Sequence, residues 1–128
     1  MIGKVTKGNH TPKTLIGDPG DDTLIGGVGA DTMNGGSGND VYYVNNTGTI
    51  VDEGWNAGHD TVYASVNFKL QDNSFVETLE LTGNADLSLT GNNAYNTLIG
   101  NAGNDSLDGG GGTGVDTLIG GGGNDTYY

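Results

Sequence analysis

Residues 17–43 read GDPGDDTLI, GGVGADTMN and GGSGNDVYY, three successive rows of nine residues. Each row has Gly at the first and fourth places, Asp at the sixth and a large apolar residue at the eighth. A fixed period of this kind indicates a repeat architecture. Gly109 and Gly110 are interpreted as an insertion between two rows of a second block. The other rows are GNHTPKTLI (8–16, degenerate), GNNAYNTLI (91–99), GNAGNDSLD (100–108), GGTGVDTLI (111–119) and GGGGNDTYY (120–128).

The eighth place supplies the predicted interior. One inward residue in nine excludes a helix face, which needs an apolar residue every three or four positions. It fits a very short strand after a tight loop, because alternate side chains of a strand face opposite sides. Two rows form one coil with a strand on each side, so the sequence predicts an all-β parallel β-roll, or β-solenoid. The eighth-place residues are Leu15, Leu24, Met33, Tyr42, Leu98, Leu107, Leu118 and Tyr127.

Composition limits both the means of folding and the choice of partner. The chain has 128 residues, which fits one domain. Only 33% of them are apolar and the net charge is −12, values that normally indicate disorder unless something other than burial stabilises the fold. The negative charge argues against nucleic-acid binding. The absence of Cys excludes disulfides, and no apolar run approaches the roughly 20 residues of a membrane span.

The first six places of each row form a Gly-rich loop that ends in an acid. Glycine adopts positive φ at little cost, so such a loop can turn several carbonyl oxygens toward one point. Carboxylate and carbonyl oxygens favour Ca²⁺, whereas Zn²⁺ would require Cys or His, and Mg²⁺ fits less well because it keeps its waters. The sixth-place acids are Asp22, Asp31, Asp40, Asp105, Asp116 and Asp125.

Repulsion between stacked acids predicts how the chain folds. Adjacent coils lie roughly 4.8 Å apart, and two carboxylates at that distance repel by roughly 1–3.5 kcal/mol at effective dielectric constants of 80 to 20. With Ca²⁺ between the loops, the same carboxylates become cross-links and binding free energy becomes folding free energy. We therefore expect the metal-free chain to be largely disordered and Ca²⁺ to order it.

The rows at 26–34, 35–43, 111–119 and 120–128 resemble the nonapeptide G-G-x-G-x-D-x-U-x of RTX, or haemolysin-type calcium-binding, proteins. The resemblance implies secretion by a bacterial type I system into a calcium-rich exterior. It also implies that this segment belongs to a larger toxin, protease, lipase, epimerase or adhesin. Because the family's secretion signal should follow beyond Tyr128, we expect the chain to be a fragment.

The resemblance also implies which groups bind the ions: the carbonyls at places one, two and four and the Asp at place six. Asp18 and Asn101 depart from Gly at place two, but their backbone carbonyls remain. The implied ligands are Gly17, Asp18, Gly20, Asp22, Gly26, Gly27, Gly29, Asp31, Gly35, Gly36, Gly38, Asp40, Gly100, Asn101, Gly103, Asp105, Gly111, Gly112, Gly114, Asp116, Gly120, Gly121, Gly123 and Asp125.

The predicted ion sites lie between loops two rows apart. Loop 17–22 faces 35–40, and loop 100–105 faces 120–125; each of these pairs joins two acids. Loop 91–96 faces 111–116, with Asn96 in place of a carboxylate. Loop 26–31 faces 44–49, which lacks an acid, although the carbonyls of Asn45 and Asn46 could contribute to this half-built site. This pairing predicts roughly three to five Ca²⁺ per chain.

Residues 44–81 break the period. Strict apolar alternation over 62–70 predicts a half-buried strand, and 48–53 and 76–82 predict further short strands. We therefore expect one solenoid domain with an N-terminal extension (1–7), a first repeat block (8–43), an intervening β segment (44–90) and a second repeat block (91–128).

Several polar residues lie outside the repeat pattern. Asp52, Glu53 and Asp60 are candidates for an irregular metal site, with ordinary surface acids as the alternative. Both histidines are predicted to be exposed rather than ligands. The histidines are His10 and His59. The acids at other places in the repeat, Asp21, Asp86 and Asp108, are predicted to be solvated surface residues.

Three classes of function compete. A calcium-dependent folding module of a secreted protein is the first hypothesis. The second is a polysaccharide-, surface- or ice-binding module, which needs matched outward residues, whereas the outward pairs vary from Thr23/Ile25 to Val41/Tyr43. The third is an enzyme, and the sequence argues against catalysis by this segment because no plausible His pair or P-loop Lys is present, and Asn39 breaks the G-x-S-x-G candidate. Open sheet edges also predict a tendency to self-associate end to end.

Overall fold

The computed structural model describes residues 3–55 and 58–128. Within these ranges the chain forms short strands and turns, with no helix. The strands are β1 (Val5–Lys7), β2 (Thr14–Ile16), β3 (Thr23–Ile25), β4 (Thr32–Asn34), β5 (Val41–Val44), β6 (Ile50–Val51), β7 (Thr61–Ala64), β8 (Phe68–Lys69), β9 (Thr78–Leu81), β10 (Ser88–Thr90), β11 (Thr97–Ile99), β12 (Ser106–Asp108), β13 (Thr117–Ile119) and β14 (Thr126–Tyr127).

Odd and even strands lie on opposite sides of a solenoid. The odd strands form one seven-stranded sheet in the order β1-β3-β5-β7-β9-β11-β13. The even strands form a sheet of β2-β4-β6 and a sheet of β8-β10-β12-β14, so pairing on this side breaks between β6 and β8. Strands pair in parallel, and Thr23 lies opposite Val41 while Thr14 lies opposite Thr32, one 18-residue coil further on. The predicted parallel β-roll is confirmed.

The interior is a thin apolar layer between the two sides. Eighth-place residues fill it: Leu24, Met33, Tyr42, Leu98 and Leu107 have no exposed surface. The rows predict Leu118 and Tyr127 to face inward as well, but Leu118 is only partly buried and Tyr127 is 52% exposed. Both side chains belong to the last coil, and no further coil of this chain covers them. A residue at the inward eighth place is therefore fully buried only where a further coil stacks on its own coil.

The middle segment continues the solenoid. The predicted short strands within 48–53 and 76–82 are present as β6 and β9. The single strand predicted over 62–70 is wrong: residues 65–67 form a bend that separates β7 from β8, and these two strands lie in different sheets. Alternate residues still face the interior on both sides of the bend, since Val62, Ala64, Phe68 and Leu70 are all buried.

The N-terminal extension also joins the roll. Val5–Lys7 pairs in parallel with Thr23–Ile25 and forms an outer strand of the seven-stranded sheet. Residues 1 and 2 of the extension, and 56 and 57 of the intervening segment, lie outside the described residues. Among the described residues there is no helix of the length and hydrophobicity needed to cross a bilayer.

Candidate metal centres along the loop ladders

The sixth-place acids lie at the end of each loop and connect adjacent coils. Asp22 accepts hydrogen bonds through both carboxylate oxygens, from the Lys4 N–H of the preceding coil (2.6 Å) and from the Asp18 N–H of its own loop (2.6 Å). Asp31 and Asp105 accept hydrogen bonds in the same way, each from a backbone N–H of the preceding coil and from the N–H of the second residue of its own loop. All three side chains are buried. Since a carboxylate has about four lone-pair sites, each retains acceptor capacity for a cation.

In three of the predicted loop pairings, the backbone N–H of one sixth-place residue binds the carboxylate of the sixth-place residue in the next coil. The Asp22 N–H donates to Asp40 Oδ1 (2.7 Å), and the Asp105 N–H donates to Asp125 Oδ1 (2.9 Å). The Asn96 N–H donates in the same way to Asp116 Oδ1 (2.9 Å). Because Asn96 is neutral, this last pair carries one acid instead of two.

A cradle of oxygen atoms lies beside the first glycine of each complete loop. A Cβ built on Gly17 would collide with the Asp22 carboxylate and with the carbonyl oxygen of Gly35 in the next coil. The same convergence occurs at Gly100, where the Asp105 carboxylate meets the Gly120 carbonyl. Carboxylate and carbonyl oxygens directed at one point are the donor set of a hard cation such as Ca²⁺. The residues present therefore fit calcium.

The fourth-place glycines allow the coils to approach closely. Gly38 has φ 128°, and a Cβ there would overlap the carbonyl group of Gly20 in the preceding coil. Gly123 adopts φ 87° and meets the carbonyl of Gly103 in the same way. Glycine is therefore required at the fourth place because a side chain there would prevent the coils from stacking.

The two-residue insertion lies inside a loop and not between rows. Gly91 donates its N–H to the carbonyl of Asp108, and the space beside it is closed by the carbonyl of Gly109. Gly109 therefore occupies the first place of the loop, and the loop runs over eight residues to Asp116. Of the predicted ligands, Gly111 and Gly112 consequently lie in the middle of an enlarged turn. Counting in nines misplaced the insertion, because GG occurs at both 109–110 and 111–112.

The side chain of Asp18 points away from the cradle. It is exposed, and its carboxylate lies 3.7 Å from Lys4 Nζ. The backbone of Asp18 stays in the loop, where its N–H binds Asp22.

Asparagine side-chain amides connect three loop pairs that do not join two acids. Asn45 Nδ2 donates to the Gly26 carbonyl (3.0 Å) and Asn46 Nδ2 to the Val28 carbonyl (2.7 Å), so these residues contribute their side-chain amides to the half-built site. We call these pairs amide interfaces: 44–49 on 26–31, 91–96 on 70–77 and 100–105 on 82–87. In the other two, Asn92 binds the carbonyls of Gln71 and Ser74, and Asn101 those of Thr82 and Ala85. The pairs that join two acids are called acidic interfaces.

A second ladder runs along the fifth places. Asp21 Oδ1 accepts from the Asn39 N–H (2.7 Å), and Asp86 Oδ1 accepts from the Asn104 N–H (2.8 Å). Both acids are exposed as expected, but they also connect coils, which the solvated-surface interpretation had not included. Asp108 is half-buried and binds the Gly110 N–H (2.9 Å) within its own turn.

The middle of the chain contains a buried group of acids. Asp40, Glu53 and Asp60 are at most 1% exposed, and one carboxylate oxygen from each lies within 4.8 Å of the others. Of the three acids predicted for an irregular metal site, Glu53 and Asp60 belong to this group, whereas Asp52 is exposed and lies outside it. Asp40 of the first repeat block is the third member. Asp60 has the sixth-place role, because the Asp40 N–H donates to Asp60 Oδ1 (2.8 Å).

Burial and mutual repulsion perturb these three carboxyls. Desolvation, followed by the charge of Asp60, raises the pKa of Glu53 to about 7. Desolvation and neighbouring acids raise the pKa of Asp60 to about 6, and desolvation also raises the pKa of Asp40. Each shift has the same physical meaning: a negative charge here requires a proton or a cation.

The sequence contains a signal for the sixth-place role of Asp60. Residues 58–63 read GHDTVY, which matches the GNDTYY that ends the last row. Glu53 had no such signal, because the loop from 53 to 60 is two residues longer than a regular loop. The two histidines are exposed, as predicted, and His59 Nδ1 lies 3.9 Å from Glu77.

Comparison with known families agrees with this geometry. The model of the RTX calcium-binding nonapeptide repeat (4 copies) matches residues 14–42, 88–115 and 111–128, more than half of the chain. Such repeats are structural calcium-binding modules typical of secreted bacterial proteins. Searches of curated proteins and of solved structures gave no significant match.

Proposed function

The chain belongs to the RTX calcium-binding nonapeptide repeat family, and from this premise we propose that it is the calcium-dependent folding module of a larger secreted protein. The observation that carries the proposal is the set of acids at the acidic interfaces: Asp22, Asp40 and Asp105 are buried, and Asp22 and Asp105 each lie beside a carbonyl of the next coil. A buried carboxylate without a compensating positive charge opposes folding. The described residues offer little compensation, since Lys4–Asp18 and His59–Glu77 are their only ion pairs.

The ions are held by the loops of the acidic interfaces. We assign this role to the sixth-place acids together with the carbonyls of the first, second and fourth places. The interface between 91–96 and 109–116 contributes a weaker site, because Asn96 replaces one carboxylate. Counting these interfaces keeps the expected number at roughly three to five Ca²⁺ per chain.

Export and folding are linked in this proposal. The chain passes through a type I secretion system in a loose state, because cytoplasmic calcium is too low to fill the sites. It folds outside, where extracellular calcium modules work with dissociation constants of about 10⁻⁴ to 10⁻³ M. Its role is to stabilise or present the rest of the secreted protein, and it performs no catalysis itself.

Circular dichroism at two calcium concentrations tests the proposal. We expect a disordered spectrum at about 10⁻⁶ M Ca²⁺ and a β-sheet spectrum at about 10⁻² M, values on either side of the expected dissociation constants. Mg²⁺ at the higher concentration serves as the control and should not order the chain. Identical spectra at the two calcium concentrations would overturn the proposal.

A second function, binding to a polysaccharide surface, is favoured by one feature of the seven-stranded sheet. Tyr43 and Tyr63 stack on its outer face with ring centroids 5.4 Å apart, and sugar rings pack on exposed aromatic rings of this kind. Retention on insoluble chitin or cellulose tests it. Tyr43→Ala should abolish retention, whereas Tyr95→Ala, which removes an exposed loop tyrosine, should preserve it. Equal retention of the two variants would reject this function.

End-to-end self-association is proposed on the same sheet. β1 and β13 are its outer strands within the described chain, and their unpaired edges can add a strand from a second copy. Sedimentation velocity in saturating Ca²⁺ should show a concentration-dependent increase in mass. A constant monomer mass would reject the proposal.

A further inference from the structure

The buried group of Asp40, Glu53 and Asp60 is assembled from three separate places in the fold. Asp40 ends the loop before β5, Glu53 follows β6, and Asp60 directly precedes β7. The repeat pattern explains Asp40 and Asp60, which are sixth-place acids of successive coils. It does not explain Glu53, which is the first residue of the eight-residue loop that ends at Asp60, the place that Gly109 occupies in the loop ending at Asp116.

Two carboxylate oxygens in this group lack any partner. Asp40 Oδ2 and Asp60 Oδ2 are fully buried and accept no hydrogen bond. No Lys lies in the group, and the sequence contains no Arg. A buried carboxylate oxygen without a donor carries its full desolvation cost, so the site calls for a positive charge.

Glu53 is held in position by its own set of donors. The Gly35 N–H donates to Oε2 and the Gly36 N–H to Oε1, each at 3.3 Å, and the Tyr42 hydroxyl donates to Oε2. The Glu53 N–H donates to Ser74 Oγ (3.1 Å), which fixes the backbone. The carboxylate is therefore positioned toward the two aspartates by contacts with both neighbouring coils.

We propose that Asp40, Glu53 and Asp60 form a divalent-cation site, best suited to Ca²⁺, in which Glu53 supplies a third carboxylate where the repeats have glycine. Three carboxylates and no nitrogen or sulfur donor select a hard cation. The proposal extends the proposed function, because it adds one ion at the junction where the regular repeats give way to the middle segment. It also explains why β5, β6 and β7 continue the roll although the nine-residue period has stopped.

Calcium titration calorimetry on matched variants tests the site. Glu53→Gln keeps the size and the acceptor oxygen of the side chain but removes its charge, and Glu80→Gln removes an equivalent charge from the outward face of β9. We expect Glu53→Gln to bind one Ca²⁺ fewer than the wild type and Glu80→Gln to bind the wild-type number. The combination of Glu53→Gln with Asp60→Asn should also lose only one ion, because both residues serve the same site.

Trp55, the only tryptophan of the chain, gives a local readout. It lies two residues from Glu53, within about 7.6 Å between Cα atoms. Terbium added to the wild type should give emission sensitised through Trp55, and excess Ca²⁺ should quench it. This measurement needs no variant, so it decides the question even if a substituted chain does not fold. The emission should be absent in Glu53→Gln and normal in Glu80→Gln.

The outcomes separate this inference from the proposed function. A wild type that binds no Ca²⁺ overturns both. A wild type that binds several ions, together with an unchanged ion count in Glu53→Gln or no terbium emission through Trp55, overturns the site and leaves the repeat sites intact. A double variant that loses two ions shows that Glu53 and Asp60 serve different ions and also overturns the site.

Discussion

Loop 35–40 stacks on loop 17–22 through two buried acids, whereas loop 100–105 stacks on loop 82–87 through the side-chain amide of Asn101. Both interfaces join equivalent strands at the same 18-residue spacing. The acidic interface brings together like charges and needs a cation, while the amide interface satisfies the carbonyls with its own donors. One coil geometry thus accommodates two kinds of cross-link, and under the proposed function only the acidic one makes folding depend on calcium.

The largest effect is expected from an acid that serves two interfaces. Asp40 connects loop 35–40 both to loop 17–22 and to loop 53–60. Asp40→Asn should lower the free energy of unfolding by about 3–5 kcal/mol in Ca²⁺ at a hundredfold excess over the dissociation constant, because each lost ion contributes about 2.7 kcal/mol there. Urea unfolding monitored by circular dichroism measures this loss.

Asp52→Asn is the matched control. Asp52 is exposed and lies outside the buried group, so its substitution should change stability by less than about 0.5 kcal/mol. Equal losses in the two variants would mean that net charge, and not the acidic interface, determines stability.

The apolar layer is common to both kinds of interface. Leu98→Ala should cost about 2–5 kcal/mol, because the side chain has no exposed surface and its removal leaves a cavity. Leu118→Ala should cost less, since Leu118 is only partly buried in the last coil. Unfolding in saturating Ca²⁺ compares them. A larger loss for Leu118 would contradict the assignment of the interior.

Amide interfaces should contribute equally at every calcium concentration. Asn92→Ala removes three side-chain hydrogen bonds and should cost about 1–3 kcal/mol. Two are donated to the Gln71 carbonyl (2.7 Å) and the Ser74 carbonyl (2.6 Å), and one is accepted from the Ala94 N–H (3.0 Å). Asn73→Ala, at an exposed position in the facing loop, should cost almost nothing. Unfolding is measured at two calcium concentrations at which the chain is folded. A cost that rises with calcium would indicate an ion at this interface as well.

The smallest effect expected is a pH dependence that changes sign with calcium. In the folded chain without an ion, burial raises the pKa of Glu53 to about 7 and that of Asp60 to about 6. The protonated carboxyls contribute their full stability to the fold at pH values below the pKa values that they have in the unfolded chain. This contribution is lost as the pH rises through about 6 to 7, where the buried carboxyls ionise. Without Ca²⁺, the small folded fraction of the chain should therefore fall further from about pH 5 to about pH 8.

In saturating Ca²⁺ the trend should reverse, because the ion competes with protons for the same oxygens and binds more tightly as they leave. Two measurements at both pH values test this: the β-sheet signal in circular dichroism without Ca²⁺, and the melting temperature in saturating Ca²⁺. Glu53→Gln should flatten the pH dependence of both. A β-sheet signal that rises with pH in the metal-free chain would contradict the raised pKa values.

Counting in nines predicts most of the roll, because each regular row supplies one strand and one loop. It predicts correctly that Asp22 faces Asp40 and that Asp105 faces Asp125, two rows apart. Counting fails where the coil length changes. The step from Val41 to Thr61 is 20 residues and the step from Thr61 to Thr78 is 17, so the partners of Glu53 depend on how a longer loop folds back.

The asparagines show a second limit of the sequence. The pattern predicts that Asn45, Asn46 and Asn101 contribute carbonyl oxygens to ion sites, whereas the structure uses their amide nitrogens as donors to carbonyls of the preceding coil. A residue that carries both a donor and an acceptor does not reveal in the sequence which of them it uses. The bend at 65–67 could not be predicted from the alternation of apolar residues over 62–70, because that alternation is the same in one straight strand and in two strands joined by a bend.

Small-angle X-ray scattering with and without calcium tests the central claim most directly. For 128 residues, an unfolded chain has a radius of gyration of about 37 Å, while a compact fold has about 14 Å and an elongated roll only slightly more. We predict a value near the unfolded limit in EDTA and a collapse to below about 20 Å in saturating Ca²⁺. A radius that is already small in EDTA and unchanged by Ca²⁺ would contradict the account.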